Sequence, residues 1–247
     1  DCGAGTVEMW GLTYALLYKK FPTFDPAHPY AVSQEEADSM DRLEKAFLNC
    51  EKLQAHMRFL LNKGGLYKVY NQNLLYHGCV PLNQDGTLKS VRIYGRAYKG
   101  KALYEVLESY VRKGFFALDK KERERGKDMM WYIWLNENSP LFGKDKTATL
   151  ERYFLAEKET HKEVTNPYYD MLENEEVLDR ILREFGLEPE GAHIINGHVP
   201  VNSKDGESPP KCGGKLLVID GGFTRASPQE PGIAGYTLIY NSSGRIP

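Results

Sequence analysis

The chain has 247 residues, of which 41% are hydrophobic and 27% charged, and its 32 Lys and Arg against 34 Asp and Glu leave a net charge of −2. This length is ample for a hydrophobic core, and the composition excludes a disordered tail. The small net charge argues against a nucleic-acid partner. No run of apolar residues is long enough for a membrane helix, and the N-terminus is not that of a signal peptide. We therefore expect a soluble protein that contacts neither nucleic acid nor membrane.

The cysteines are spread along the chain without a CxxC pair. They are Cys2, Cys50, Cys79 and Cys212. This spacing is typical neither of a disulfide scaffold nor of a zinc ribbon, so we expect a reducing, cytoplasmic location. The sequence begins at Asp1 without a methionine and stops at Pro247 directly after a strand-like run, which indicates a piece of a longer protein.

Residues 1–65 are predicted to form a helical segment. Dense apolar positions and a basic end indicate a buried helix over residues 7–20. A second helix is predicted over 34–63, because Ser33 and Glu36 have the spacing of a capping box and Gly64 stops the apolar pattern. Its buried stripe is predicted to contain Leu43, Phe47, Cys50, Leu53, Met57 and Leu60.

From residue 66 onward, short strand-like runs and helical patterns follow one another. Apolar or alternating runs bounded by turn residues predict strands, whereas helical spacing returns at 100–118 and 174–186. The last third of the chain is again rich in short Ile, Val, Leu and Tyr runs. This order indicates an α/β or α+β architecture over residues 66–247.

Two of the six histidines follow predicted strands. His77 comes after the apolar run LLY and precedes a glycine, and His198 comes after IIN and a glycine. Because catalytic groups in α/β folds collect just beyond strand ends, this pair favours a shared metal site. The alternative is that each histidine is a hydrogen-bonded structural residue, since no local motif supplies further ligands.

Asp220 ends another strand-like run, LLVI, and precedes two glycines. It would place a carboxylate at the same edge of a sheet, although a simple Asp-Gly turn accounts for the sequence equally well. The motifs GxGxxG, GxxxxGK[ST] and GxSxG do not occur in the sequence, so nucleotide-dependent and serine-hydrolase chemistry lose their best support.

Several long segments are distinctive. They are YHGCVPLN at 76–83, SPLFGKDKTATLERYF at 139–154, KETHKEVTNPYY at 158–169, HIINGHVPV at 193–201, and GGKLLVIDGGFTRA and GIAGYTLIYNS between 213 and 242. Taken together, they resemble the class III fructose-1,6-bisphosphatases of Gram-positive bacteria, which are similar to the calcineurin-like metallophosphoesterases. The resemblance implies an α/β fold, a two-sheet sandwich with flanking helices that is incomplete in this chain. It also implies hydrolysis of fructose 1,6-bisphosphate to fructose 6-phosphate in gluconeogenesis.

The same resemblance implies a centre of two divalent metal ions, usually manganese, at the strand ends. Its late ligands correspond to His77 and His198, whereas Asp220 gains no support as a ligand. Cationic side chains in or near the resembling segments are candidates for binding the substrate phosphates. They are Lys144, Lys146, Arg152 and Arg225.

The motifs DxH, GDxxDRG and GNH[DE], which supply the other ligands and the general acid of that superfamily, do not occur in this sequence. We therefore expect the chain to be the carboxyl-side portion of the enzyme, with residues 66–247 as the carboxyl-side half of the metallophosphoesterase domain. We expect it to be inactive on its own, and no catalytic acid is identified. Two alternatives stay open. One is a non-catalytic scaffold or a portion that forms a homo-oligomer, and the other is a phosphatase of the same superfamily that acts on proteins.

Overall fold

A computed structural model of the chain describes residues 4–201, 206–220, 236–241 and 244–246. The contacts divide the chain into two units. The first unit comprises Asp1–Gly64 and Thr147–Glu163, and the second comprises Gly65–Lys146 and Val164–Pro247. The division into a helical segment, 1–65, and a metallophosphoesterase portion, 66–247, stays a prediction. In the described ranges, no helix has the length and apolar character that crossing a bilayer requires.

The secondary structure mixes helices with short strands. The helices are α1 (Gln34–Leu48), α2 (Glu51–Lys63), α3 (Gly100–Phe116), α4 (Lys120–Leu135), α5 (Thr149–Phe154) and α6 (Glu175–Glu184). The strands are β1 (Thr6–Met9), β2 (Leu12–Ala15), β3 (Tyr67–Tyr70), β4 (Asn73–Tyr76), β5 (Val91–Ile93), β6 (Arg96–Tyr98), β7 (His193–Asn196), β8 (Pro210–Lys211), β9 (Leu216–Val218), β10 (Ile239–Asn241) and β11 (Gly244–Ile246).

The helix predicted over residues 7–20 is wrong, because this segment forms the antiparallel hairpin β1–β2. The strands pair around a two-residue loop, Trp10 and Gly11, whose φ angles are +54° and +75°. Positive φ at both positions is typical of a type I′ turn, whose twist matches that of the flanking strands. The dense apolar residues of the segment therefore lie on a twisted ribbon.

The long helix predicted over 34–63 is interrupted. Its capping box is confirmed, since Glu36 N–H donates to Ser33 Oγ at 3.3 Å and Ser33 N–H donates to Glu36 Oε2 at 2.7 Å. However, α1 ends before Asn49, and Cys50 takes an extended conformation ahead of α2. Asn and Cys are weak helix formers, which accounts for the break.

The predicted buried stripe of this helix is also wrong. Helix α1 contains no buried residue, and Leu61 is the buried residue of α2. The stripe residues Leu43, Phe47 and Leu60 are 61%, 64% and 58% exposed; Cys50 is exposed, and Leu53 and Met57 are half-buried. An amphipathic pattern sets which face of a helix is suited to burial, but burial requires a second element against that face.

The second unit contains a five-stranded sheet in the order β3-β4-β7-β9-β8. The central strands β4, β7 and β9 run parallel, whereas β3 and β8 pair antiparallel at the edges. All of β9 and most of β7 are buried, as is usual for parallel strands. Because parallel strands end at the same edge of a sheet, the segments that follow β4, β7 and β9 lie close together.

Apolar residues of the three parallel strands and of α6 form the main core. Leu74, Ile194 and Leu216, one from each strand, belong to the same buried cluster as Leu178 and Leu182 of α6. All five side chains are fully buried. This packing fixes the positions of the strands and therefore of the loops at their carboxyl ends.

Helices α3 and α4 approach each other closely at two glycines. A Cβ atom at Gly126 would lie within 2.1 Å of the backbone nitrogen of Gly114. The helices bury Leu103 of α3 and Ile133 of α4 in a second core cluster. Glycine at the crossing is therefore required by the separation of the two backbones.

The α/β class predicted from the sequence is confirmed by this mixture of helices and a mixed sheet. The described residues also form the two-stranded sheets β1-β2, β5-β6 and β10-β11. The two-sheet sandwich of the metallophosphoesterases stays a prediction.

Candidate metal centre

The carboxyl ends of β4, β7 and β9 bring three of the residues selected from the sequence to one edge of the sheet. His77 follows β4 directly, His198 follows β7 after one glycine, and Asp220 lies just beyond β9. Hydrogen bonds join the three segments. Gly197 N–H donates to the carbonyl oxygen of His77 at 2.9 Å, and His198 N–H donates to Asp220 Oδ2 at 3.1 Å.

The side chains of His77 and His198 converge. Nε2 of His77 lies 3.0 Å from Nδ1 of His198, and the ring centroids are 4.9 Å apart with the planes at 74°. The convergence of the two imidazoles that we expected from the sequence is therefore present. Their role as metal ligands stays a prediction.

A backbone carbonyl determines which nitrogen of His198 carries the proton. Nε2 of His198 lies 2.9 Å from the carbonyl oxygen of Phe142. A carbonyl oxygen accepts and never donates, so Nε2 is the protonated nitrogen and the lone pair of the neutral ring is on Nδ1. Since Nδ1 of His198 faces His77, the hydrogen bond between the two rings is donated by Nε2 of His77.

The surroundings of His198 favour its neutral form. The side chain is half-buried, and this burial lowers the pKa of His198 below its ordinary value. The charges of His77 and Lys144 lower the pKa further, whereas the Phe142 carbonyl and the Asp220 carboxylate raise it. Neutral imidazole is the form that binds metal ions, so the lowered pKa favours a ligand role.

The backbone of His198 is strained. Its φ is +72°, in the left-handed region that costs a non-glycine residue about 1–2 kcal/mol. The hydrogen bond to Asp220 holds this conformation. Asp220 therefore holds the backbone of His198, and a strained residue of this kind is typical of functional sites.

The donor set fits one part of a divalent metal centre. Two imidazole nitrogens lie 3.0 Å apart, and His198 is oriented by a carbonyl through its other nitrogen, as ligating histidines usually are. Over residues 4–201, 206–220, 236–241 and 244–246, no group of three or more His, Cys, Asp or Glu side chains is arranged to hold a metal ion. The described part of this chain thus offers a pair of imidazoles.

Both lysines predicted to contact substrate phosphates are in the second unit. Lys144 lies two residues after the residue that supplies the carbonyl, and its Nζ is 5.5 Å from the centroid of the Phe142 ring. Its positive charge contributes to lowering the pKa of His198. Lys146 is half-buried near the end of the same segment. The phosphate-binding role of both lysines stays a prediction.

The two arginines predicted for the same role are in other surroundings. Arg152 belongs to the first unit, where its guanidinium pairs with Glu163 at 3.2 Å and donates to the carbonyl oxygen of His161 at 3.3 Å. Arg225 lies outside the described residues. The phosphate-binding role of both arginines stays a prediction.

The loop at residues 139–143 takes part in the site in a way that the sequence did not reveal. The carbonyl of Phe142 orients His198, and the carbonyl of Pro140 accepts from Cys79 N–H at 2.9 Å. A Cβ at Gly78 would lie 2.4 Å from that Pro140 oxygen, which explains the glycine after His77. Because every residue has a backbone carbonyl, the residue types of this segment give no sign that its carbonyls orient His198 and hold Cys79.

Comparison with known proteins places the whole chain in one family. A family model described as "Firmicute fructose-1,6-bisphosphatase" matches residues 1–246. The chain is 54% identical over 243 residues to the fructose-1,6-bisphosphatase class 3 of Clostridium novyi, and 55% identical over 239 residues to that of Clostridioides difficile. These alignments cover 98% and 96% of this chain but 36% of each relative.

The protein of Clostridium acetobutylicum with the same name is 52% identical over 240 residues, which is 97% of this chain and 36% of the relative. No solved structure shows a significant match. The chain therefore spans little more than a third of the length of these relatives. On the basis of the family match over residues 1–246, the chain belongs to the Firmicute fructose-1,6-bisphosphatase family.

Proposed function

We propose that the complete protein containing this chain hydrolyses fructose 1,6-bisphosphate to fructose 6-phosphate and phosphate at a divalent metal centre, with His77 and His198 among the ligands. The observation that carries the proposal is the 3.0 Å separation between Nε2 of His77 and Nδ1 of His198 at adjacent strand ends. The names of the relatives, fructose-1,6-bisphosphatase class 3, support the substrate.

Each residue at this edge has a defined part in the proposal. A pair of divalent ions, with Mn²⁺ as our candidate, supplies charge neutralisation at the phosphate oxygens and a more acidic water nucleophile. His198 would present the lone pair of Nδ1, because the Phe142 carbonyl holds its other nitrogen, and His77 would present Nε2 once that nitrogen has given up its proton. Lys144 adds a positive charge near the pair, which favours the approach of an anionic sugar phosphate.

A non-catalytic role for this portion is the second candidate. It is favoured by one observation, namely that the described residues offer no group of three or more metal-binding side chains. In our proposal the remaining ligands and the general acid come from the rest of the complete protein. We also propose a cytoplasmic location. Assembly into a homo-oligomer and action on a protein substrate are separate questions that experiment decides.

The test measures phosphate release from fructose 1,6-bisphosphate by the complete protein, with Mn²⁺ and after removal of metal by a chelator. We expect metal-dependent release that falls by orders of magnitude in His77→Ala and His198→Ala and is unchanged in His56→Ala, the exposed-histidine control. Release from a phosphopeptide but not from the sugar would favour the protein phosphatase. Absence of release from either substrate would favour the non-catalytic role.

A further inference from the structure

Three consecutive backbone carbonyls hold the segment that carries His77 in place. The carbonyl of His77 accepts from Gly197 N–H at 2.9 Å. The next carbonyl, that of Gly78, accepts from the side-chain Nδ2 of Asn196 at 2.9 Å. The carbonyl of Cys79 accepts from the hydroxyl of Tyr104 at 2.8 Å. Two of these three donors immediately precede His198 in the chain.

Gly78 is the point at which this segment most needs support. Glycine has more conformational freedom than any other residue, and here it directly follows a residue at the candidate centre. A side chain is not tolerated at this position, because a Cβ would lie 2.4 Å from the carbonyl oxygen of Pro140. The direction of the His77 side chain therefore depends on hydrogen bonds that fix the peptide groups on either side of Gly78.

The Gly78 carbonyl, which can only accept, sets the orientation of the Asn196 amide. Its side chain is 2% exposed, and Nδ2 donates both to Gly78 O and to the hydroxyl of Tyr168, each at 2.9 Å. A flipped amide would place two acceptors, Oδ1 and the Gly78 carbonyl, against each other. Tyr168, having accepted from Asn196, is free to donate to the hydroxyl of Tyr76 at 2.8 Å.

The oxygen of the Asn196 amide makes no hydrogen bond in the described part of the structure. Asn196 Oδ1 is buried and has no hydrogen-bond partner among the described residues. An unpaired buried acceptor is unfavourable, so it offsets part of the stability that the two donated hydrogen bonds provide. The net effect of the amide on stability is therefore small, and its clear structural effect is to tie the Gly78 carbonyl to the strand that leads to His198.

We propose that Asn196 is a positioning residue for the candidate metal centre, and that its amide sets the separation of His77 and His198 by holding the Gly78 carbonyl. This inference rests on the proposed metal-binding role of the two histidines. The parallel strands β4 and β7 fix the approximate distance between the two loops, and the Asn196 amide fixes the rotation of the peptide group that follows His77.

The test compares two variants of the complete protein, Asn196→Asp and Tyr168→Phe. The aspartate is nearly isosteric but replaces the donor to Gly78 with an oxygen. The Tyr168→Phe variant removes the other partner of the same amide and leaves the bond to Gly78 in place, so it is the matched control for loss of a buried hydrogen bond. The Mn²⁺ dissociation constant is measured by electron paramagnetic resonance without substrate, and thermal unfolding is measured in parallel.

We expect Asn196→Asp to weaken Mn²⁺ binding by about 10- to 100-fold, as loss of a group that orients a ligand does. Tyr168→Phe should weaken Mn²⁺ binding by no more than about 3-fold even if it lowers the melting temperature as much, because residues that do not orient a ligand affect binding little. Unchanged affinity in Asn196→Asp, or equal loss in both variants, would overturn the role of Asn196.

Two further observations distinguish a failure of the role of Asn196 from a failure of the proposed function. If Asn196→Asp does not fold, a crystal structure of the unsubstituted Mn²⁺-loaded protein decides: an Asn196 Nδ2 to Gly78 O distance of about 2.7–3.2 Å supports the proposal, and a broken contact overturns it. If the unsubstituted protein binds Mn²⁺ through the two histidines but releases no phosphate from fructose 1,6-bisphosphate, the proposed function fails, and the role of Asn196 is judged by Mn²⁺ affinity alone.

Discussion

His77 and His198 are 121 positions apart in the chain, yet Nε2 of the first lies 3.0 Å from Nδ1 of the second. Parallel pairing of β4 with β7 brings the two strand ends to the same edge of the sheet. The Phe142 carbonyl and the Asp220 carboxylate then set the ring and the backbone of His198. The pair is thus positioned by contacts from four separate segments of the second unit.

The hydrogen bond from His198 N–H to Asp220 gives a prediction for the complete protein. Asp220→Ala removes the acceptor that holds His198 at a φ of +72°, so Mn²⁺ affinity should fall by about 10-fold or more. Asp220→Asn keeps an oxygen acceptor at the same place and should retain most of the affinity. Titration of Mn²⁺ into both variants checks this. Equal losses would mean that the charge of Asp220, and not its hydrogen bond, matters.

Shortening a side chain to alanine should affect stability differently in the exposed helix α1 and in the buried core. Phe47 is 64% exposed and Leu178 is fully buried. Phe47→Ala should change the free energy of unfolding by less than about 0.5 kcal/mol, as surface substitutions do. Leu178→Ala should cost about 2–5 kcal/mol, because it leaves a cavity in the core. Urea unfolding of the two variants measures both, and a large loss in Phe47→Ala would show that α1 is covered.

Burial of a thiol predicts which cysteine resists modification. Burial raises the pKa of Cys79 from 9.0 to about 12, whereas Cys50 is exposed. At pH 8.5 iodoacetamide should label Cys50 at least 100-fold faster than Cys79, because Cys79 is protonated and reacts only after opening of the fold. Peptide mapping over time measures the two rates, and similar rates would contradict the buried position.

The same shift of pKa has a consequence for stability. Cys79 keeps its proton in the folded state up to about pH 12 but loses it near pH 9.0 when unfolded. Its contribution to stability is therefore complete below pH 9 and is lost as the pH rises toward 12. Cys79→Ser should reduce the loss of stability over this range, as measured by denaturant unfolding at several pH values.

The glycine contact between α3 and α4 predicts a steric effect. Gly126→Ala would place a Cβ within 2.1 Å of the Gly114 backbone, so the helices must separate. We expect a loss of about 1–3 kcal/mol in the free energy of unfolding, even though alanine favours a helix. Substitution of Gly191, at which an added Cβ would meet nothing but whose φ is +73°, serves as a control for backbone strain without a clash.

Local patterns predicted local features well. The capping box of Ser33 and Glu36 and the position of His77 and His198 at strand ends depend on a few neighbouring residues. The hairpin β1–β2 was missed because its apolar residues are too dense to separate a helical period from an alternating one, and the turn at Trp10 and Gly11 was the better signal.

Features that depend on distant segments were not predictable. The apolar stripe that includes Phe47 identifies a face of α1 that is suited to burial, but it does not show whether another element covers that face. The carbonyl of Phe142 and the amide of Asn196 act through geometry that only the folded chain defines. The residues around His198 in the sequence located the site, whereas the tautomer of its ring follows only from the contact with the Phe142 carbonyl.

We propose that His77 and His198 bind the same metal centre. Pulsed electron paramagnetic resonance of the Mn²⁺-loaded complete protein measures it directly, because each coordinated imidazole adds a nitrogen coupling to the Mn²⁺ signal. We predict couplings from two imidazoles of this chain, with one lost in His77→Ala, one lost in His198→Ala, and both retained in His56→Ala. Couplings that are unchanged in His77→Ala and in His198→Ala would show that these histidines do not bind the metal.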